Sequence, residues 1–225
     1  MVTYKIHLIR HGMTAGNRDG RYVGRSDFPL CEEGVLEIQS LIKTFQYPEV
    51  QRVYTSPLTR CVETAELIYP NVPMVLVEDL MELSLGDFEG KHIKDLKDQP
   101  SYQAWLKDSL HNSPPNALET PAEFAGRITR GLNDVFMNMT QEHVQEAAVV
   151  AHGGVIMGLL STFAFPKRDL REWAVSNGTG YSLSMSTGLW MRDKIVEVTG
   201  AVPKGGSFGG DRKVLESLGI EKNSD

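Results

Sequence analysis

The sequence predicts an α/β fold, a three-layer α/β/α sandwich in which helices cover both faces of a mainly parallel sheet. Strand and helix patterns alternate along most of the 225 residues, which is typical of successive βαβ units. Two short apolar runs, residues 4–9 and 147–151, each lead into a histidine followed by glycine. Such runs are expected for parallel strands that are buried on both faces of a sheet.

The first half of the chain contains three predicted strands and two predicted helices. Residues 4–9 form the first strand, and the helix that follows has apolar residues at helical spacing. These residues are Val35, Leu36, Ile38, Leu41, Ile42 and Phe45. A second strand runs into Ser56, which we interpret as a helix N-cap because Pro57 would occupy the first helical position. Residues 73–77 form the third predicted strand.

Residues 91–120 interrupt this alternation and predict a small helical cap insertion. Short helical pieces surround Trp105, and the Pro114-Pro115 pair breaks them. Trp105 fits either a wall that selects the substrate or a buried core position.

The second half begins with a long helix and ends in an antiparallel pair of strands. Residues 120–123 read Thr-Pro-Ala-Glu, a capping box with proline at the first helical position. Residues 147–151 form the next strand, and residues 181–186 and 194–198 predict a late hairpin. We therefore expect one domain over residues 1–200. A glycine-rich tail, either mobile or closing on the substrate as a flap, would follow at 201–225.

Composition and charge exclude several classes of function. The formal net charge of −6 argues against a nucleic-acid or anionic-membrane surface, because both partners require a basic face. The two cysteines, Cys31 and Cys61, have neither zinc-ribbon spacing nor an arginine six residues later, as a cysteine-based phosphatase loop requires. The sequence shows no signal peptide and no bilayer-spanning apolar run, so we expect a cytoplasmic protein.

Arg10-His11-Gly12 and His152-Gly153 are the two halves of a candidate phosphate site. An arginine offers a planar fork that matches phosphate oxygens, and a neutral imidazole is a nucleophile near pH 7. Either histidine alone could be an ordinary hydrogen-bonded loop residue. Because parallel strands end at one edge of a sheet, where α/β proteins bind ligands, the pair together predicts a phosphoryl-transfer site.

Arg60 is a candidate third anion ligand. It falls in the first turn of the predicted second helix, where a cation is unfavourable unless an anion neutralises both the cation and the helix dipole. The alternative is a surface arginine that pairs with Glu63 or Glu66.

Glu82 is the candidate proton donor. It follows the third predicted strand and is flanked by apolar residues, which favour the protonated carboxyl needed by a departing alkoxide. Asp87 and Glu89 fit this role less well, and all three acids could instead serve as turn or cap residues.

These segments together resemble the histidine phosphatase superfamily, also called phosphoglycerate mutase-like, over roughly residues 3–185. The matching positions are residues 10–14 with Asn17, residues 56–60 with 63–65, Glu82 with Gly86, Glu89 and Gly90, and residues 152–154. The resemblance implies that His11 becomes a phosphohistidine and that Glu82 serves as acid and then base. It further implies that Arg10, Arg60 and His152 bind the phosphoryl oxygens, assisted by Asn17, Gly24 and Gly153. No metal and no other cofactor is implied.

Within this resemblance, the residues after Glu82 are similar to those of small bacterial phosphatases, including α-ribazole phosphatases, and lack the longer segment of the mutases. The middle segment departs from theirs at Asn116-Ala117-Leu118, where those enzymes often have glycines. We therefore expect a metal-independent phosphomonoesterase for a small metabolite, with α-ribazole 5'-phosphate as one candidate. The alternatives are a phosphoglycerate mutase-type transferase and a non-catalytic module that binds a phosphorylated ligand. The oligomeric state does not follow from the sequence.

Overall fold

A computed structural model describes residues 2–206. Residues 207–225, which make up most of the expected glycine-rich tail and its possible flap, lie outside the described residues. Within residues 2–206, no helix is both long enough and apolar enough to cross a lipid bilayer.

Seven strands and eight α-helices are described. The strands are β1 (Thr3–Arg10), β2 (Arg52–Thr55), β3 (Met74–Leu76), β4 (Glu146–Ala151), β5 (Ala164–Phe165), β6 (Gly180–Ser186) and β7 (Val196–Val202). The helices are α1 (Ala15–Arg18), α2 (Glu32–Thr44), α3 (Thr59–Ile68), α4 (Ile93–Leu96), α5 (Pro100–Lys107), α6 (Pro121–Gln141), α7 (Gly153–Phe163) and α8 (Thr187–Asp193). Short 3₁₀ turns occur at Glu78–Leu80, Gly86–Phe88 and Leu170–Trp173.

The strands form one mixed sheet in the order β3-β2-β4-β1-β6-β7-β5. The first four strands in that order are mutually parallel, β6 is antiparallel to both β1 and β7, and β5 is parallel to β7. The α/β fold with a mainly parallel sheet is thus confirmed. The two apolar runs are adjacent strands, β1 and β4, with Arg10 opposite Ala151 at their carboxyl ends.

Alternation along β4 shows why helices cover both faces of the sheet. Val149 belongs to the main core cluster, which includes residues of α6 and α7, such as Ile128 and Ile156. The next residue, Val150, belongs to a second cluster that contains Cys61 and Ala65 of α3. Since successive side chains of a strand point to opposite faces, the sheet lies between two helical layers.

The late hairpin needs a correction. β6 and β7 pair antiparallel as expected, but α8 connects them where the sequence predicted a polar turn near Arg192. The Ser186 hydroxyl caps α8 by accepting from the Leu189 N–H, and Lys194 ends it in a left-handed conformation with φ of 53°. β7 continues to Val202, so the boundary predicted at residue 200 falls inside a strand.

The cap insertion contains α4 and α5 and has its own small core. Trp105 packs there with Phe88 and Tyr102, and the phenolic oxygens of Tyr102 and Tyr22 are hydrogen-bonded at 2.8 Å. The interpretation of Trp105 as a core residue is therefore confirmed. The Thr120 capping box at the start of α6 is also confirmed, with Glu123 as its partner.

Candidate active site

The carboxyl ends of β1, β2 and β4 bring the predicted residues together. His11 follows β1, and its N–H extends the ladder by donating to the Ala151 carbonyl at 2.9 Å. Ser56 follows β2 and donates in the same way to the Val150 carbonyl at 3.0 Å. His152 follows β4 and is the N-cap residue of α7.

His11 is buried, and one of its ring nitrogens is fixed by a backbone contact. The residue is 4% exposed, and Nδ1 lies 2.7 Å from the Gly12 carbonyl oxygen. Because a carbonyl can only accept, Nδ1 carries the proton and the Nε2 lone pair is left free. Burial, reinforced by Arg60 and Arg10, holds the pKa of His11 well below its ordinary value of 6.5. The imidazole is therefore neutral at pH 7.

Two residues that the sequence reasoning did not assign to the site hold the backbone around His11. The Thr64 hydroxyl accepts from the Gly12 N–H at 2.8 Å and donates to the Arg60 carbonyl at 2.6 Å. The Asn177 amide donates to the His11 carbonyl at 2.8 Å. Thr64 lies one helical turn after Arg60, a spacing that could have identified it, whereas no local pattern marks Asn177.

His152 lies beside His11, with ring centroids 5.2 Å apart and ring planes at 62°. Its Nε2 is 2.8 Å from the Ser56 hydroxyl, and the side chain is fully buried. Burial, together with Arg60, His11 and Arg10, lowers the pKa of His152 well below 6.5. Both histidines are therefore neutral, and the positive charge of the site comes from the arginines.

The interpretation of Ser56 as an N-cap is wrong. Leu58 is the N-cap of α3, and the helix begins at Thr59. The cap comes from a distant loop, where the Asp27 carboxylate accepts from the Thr59 N–H at 2.7 Å and from its hydroxyl at 2.8 Å. Ser56 is thus available for its hydrogen bond to His152.

Arg60 is in the first turn of α3, as predicted, and its side chain is fully buried. Its guanidinium donates to the Ser26 carbonyl at 2.8 Å and the Gly24 carbonyl at 2.7 Å, so the surface ion pair considered above is wrong. Arg10 donates to the Val175 carbonyl at 2.8 Å. Neutral carbonyls hold both cations, and within residues 2–206 the buried Nε of each has no hydrogen-bond partner. Two cations with donors to spare suit an anionic ligand.

Glu82 is the acid that belongs to the site. Its carboxylate accepts from its neighbour Leu83 N–H at 2.8 Å and from the Gly154 N–H of α7 at 3.0 Å. Burial raises the pKa of Glu82 against the opposing effect of these N–H groups and the arginines. Asp87 instead binds the Asn116 amide at the surface, and Glu89 accepts from the backbone of residues 24 and 26.

The three predicted accessory residues occupy different positions. Asn17 uses its amide oxygen to cap α1 through Thr14, so any ligand contact would come from its NH₂. Gly24 donates its N–H to Glu89 and presents its carbonyl to Arg60. Gly153 lies against Arg10, where an added Cβ would be 3.5 Å from Nε.

Comparisons with known proteins find relatives in sequence and in fold. The sequence model of the histidine phosphatase superfamily (branch 1) matches residues 6–196. The adenosylcobalamin/alpha-ribazole phosphatase of Escherichia coli K12 is 33% identical over 181 residues, which are 77% of this chain and 86% of that protein. The alpha-ribazole phosphatase of Shigella flexneri superposes with a TM-score of 0.70 at 26% identity, covering 87% of this chain and 94% of that one. A phosphoglycerate mutase of Bacillus anthracis has a TM-score of 0.71 at 23% identity, covers 96% of both chains, and shows the shared fold.

Proposed function

This chain belongs to the histidine phosphatase superfamily, and we propose that it hydrolyses small phosphomonoesters through a phosphohistidine on Nε2 of His11. The observation that carries the proposal is the pairing of a buried, neutral His11 with two arginines whose Nε has no hydrogen-bond partner among residues 2–206. A phosphoryl group supplies the negative charge that would neutralise the two arginines. The free Nε2 lone pair of His11 can attack its phosphorus.

In the first step, His11 Nε2 forms a bond to phosphorus while the ester P–O bond breaks. Arg10, Arg60 and His152 stabilise the charge on the three phosphoryl oxygens. Protonated Glu82 delivers its proton to the departing oxygen, which leaves as an alcohol. The raised pKa of Glu82 supports this role, because it extends to higher pH the range over which the carboxyl stays protonated.

In the second step, water attacks the phosphorus, and the carboxylate of Glu82 accepts its proton. The N–P bond breaks, and inorganic phosphate leaves with His11 restored as neutral imidazole. The Asn17 NH₂ and the Gly153 N–H are the proposed additional phosphate contacts. Gly24, whose carbonyl holds Arg60, would act on the substrate through that arginine.

The substrate expected from the sequence, α-ribazole 5'-phosphate, is supported by the names of relatives at about 30% identity. The wall that would recognise its alcohol includes Asn116-Ala117-Leu118, where Leu118 is 79% exposed. We propose that the protein binds a small phosphomonoester, that it binds neither nucleic acid nor a membrane, and that it is located in the cytoplasm.

Release of inorganic phosphate from a panel of esters tests this function. The panel contains α-ribazole 5'-phosphate, 3-phosphoglycerate, sugar phosphates and nucleotides, and the assay contains EDTA to remove free divalent metals. We expect release by the wild type and none by His11→Ala. Isomerisation of 3-phosphoglycerate without phosphate release would favour a mutase, whereas no reaction with any ester would favour a binding module.

A further inference from the structure

A cluster of three charged side chains, Arg25, Glu119 and Arg127, lies beside the backbone of Glu82. Arg127 of α6 binds Glu119 through two parallel hydrogen bonds, Nε to Oε2 at 2.9 Å and Nη2 to Oε1 at 2.7 Å. Arg25 Nη2 donates to the same Oε1 at 2.9 Å. The side chains of Glu119 and Arg127 are only 9% and 11% exposed. Such a paired and largely buried geometry is more rigid than a surface ion pair.

Both arginines of the Arg25–Glu119–Arg127 cluster converge on the carbonyl oxygen of Glu82. Arg25 Nε donates to it at 2.8 Å, and Arg127 Nη2 at 3.3 Å. Arg127 Nη1 also binds the carbonyls of Asp79 and Met81, at 2.9 and 2.8 Å. Because residues 81–85 form neither helix nor strand, these side chains supply the fixed donors that regular structure would otherwise provide.

The hydrogen bonds of Arg127 separate it from the phosphate-binding arginines. A guanidinium has five N–H donors, and five acceptor contacts of Arg127 are described: two with Glu119 and three with backbone carbonyls. Arg10 and Arg60, by contrast, each have a buried Nε without a partner among the described residues. Arg127 therefore has no donor to spare for an anion, and its contacts are all with the protein.

Glu119 also connects the cap insertion to the Glu82 loop. Beside it, the Leu118 N–H donates to the Ser84 hydroxyl at 2.9 Å, and the Asp87 N–H donates to the Pro115 carbonyl at 2.8 Å. The two segments approach so closely at Gly86 that an added Cβ would lie 2.1 Å from the Pro115 oxygen. The end of the cap insertion and the loop of Glu82 thus pack as one unit.

We infer that the Arg25–Glu119–Arg127 cluster is a positioning device that fixes the Glu82 carboxyl relative to the oxygen leaving the phosphorus. This inference rests on the proposed function and adds three positioning residues, none of which contacts the substrate. The ionised form of Glu119 is essential to it. Burial opposes that ionisation, but the two arginines outweigh burial and hold the pKa of Glu119 below its ordinary value.

Leaving-group dependence tests the inference, because a displaced proton donor slows esters that need protonation and spares those that do not. We would compare kcat/KM, which reports only the steps up to loss of the alcohol, for p-nitrophenyl phosphate and for glycerol phosphate in Glu119→Gln and Arg127→Gln. For glycerol phosphate we expect a loss of about 10- to 100-fold, and for the activated ester a loss below about threefold. Glu82→Gln gives the reference pattern, with a larger loss on the same ester.

Arg130→Gln is the matched control, since Arg130 also ties α6 to the turn at Glu78–Leu80. It does so through an exposed pair with the Asp79 carboxylate at 3.1 Å and does not touch Glu82. We expect both esters to be cleaved within about twofold of wild type. If the buried variants fail to fold, Arg25→Gln takes their place, because it keeps the Glu119–Arg127 pair. It should give a smaller loss with the same selectivity for glycerol phosphate over p-nitrophenyl phosphate.

For variants that melt at the wild-type temperature, two results would overturn the inference but not the proposed function. These are equal losses on both esters and no loss on either. Failure of the wild type to release phosphate from any ester would overturn the proposed function and the inference with it.

Discussion

At the scale of single residues, the proposed mechanism gives His11 and the two arginines different tasks, because one side chain cannot perform both. Attack on phosphorus requires an unprotonated imidazole, whereas binding of the phosphoryl group requires positive charge. Burial and the nearby cations keep His11 neutral, and under the proposed function the same cations neutralise the incoming anion. His152 follows the same rule, so the pair adds hydrogen-bonding capacity without adding charge.

This division predicts how stability depends on pH. The pKa of His11 is lower in the folded protein than its ordinary value of 6.5, so the unfolded chain binds more protons just below pH 6.5. The contribution of neutral His11 to the free energy of unfolding is therefore fully present above that pH. It is lost as the pH falls towards the pKa of His11 in the folded protein. We expect the free energy of unfolding, measured in urea, to fall less between pH 7 and pH 5 in His11→Asn than in wild type.

The exposed His143 provides the control for this measurement. Its backbone φ of 57° is one that asparagine tolerates, so His143→Asn should fold normally and show the wild-type fall in stability. An equal fall in His11→Asn and wild type would contradict the assignment of His11 as a buried neutral group.

At the scale of elements, helix starts could be predicted where the capping residue is local. Thr120 and Glu123 are three residues apart, and the sequence alone located the start of α6. The predicted start of α3 is two residues too early, because its cap is the carboxylate of Asp27, 32 residues before Thr59. Ser56 had the right chemistry for a cap, but its hydroxyl is engaged by His152.

The contacts of Asp27 predict a linked loss of stability and activity. Asp27→Ala removes the cap of the turn that carries Arg60, so we expect about 1 kcal/mol less stability. We also expect kcat/KM to fall about three- to tenfold, because Arg60 is less well fixed. Ser186→Ala removes the N-cap of α8, away from the predicted site, and should lower stability with kcat/KM unchanged. A wild-type kcat/KM in Asp27→Ala would show that this cap does not support Arg60.

At the scale of the whole molecule, the grouping of the candidate site residues could be predicted because the main ones follow strands that end at one sheet edge. His11, Arg60 and His152 each come shortly after β1, β2 or β4, and local patterns were enough to place them together. Asn177 and the Arg25–Glu119–Arg127 cluster were not visible in the same way. Apart from the Glu119–Arg127 pair, which is eight residues apart, their partners are brought close by tertiary packing across long sequence separations.

The most direct test of the account is the location of the covalent intermediate. Wild-type protein would be mixed with a ³²P-labelled ester, quenched in alkali within one turnover, and digested for mass spectrometry. The account predicts an alkali-stable, acid-labile phosphoryl group on His11, absent from His11→Ala, that disappears at the rate of phosphate release. Phosphate release with no labelled protein, or with the label on another residue while His11→Ala stays active, would contradict it.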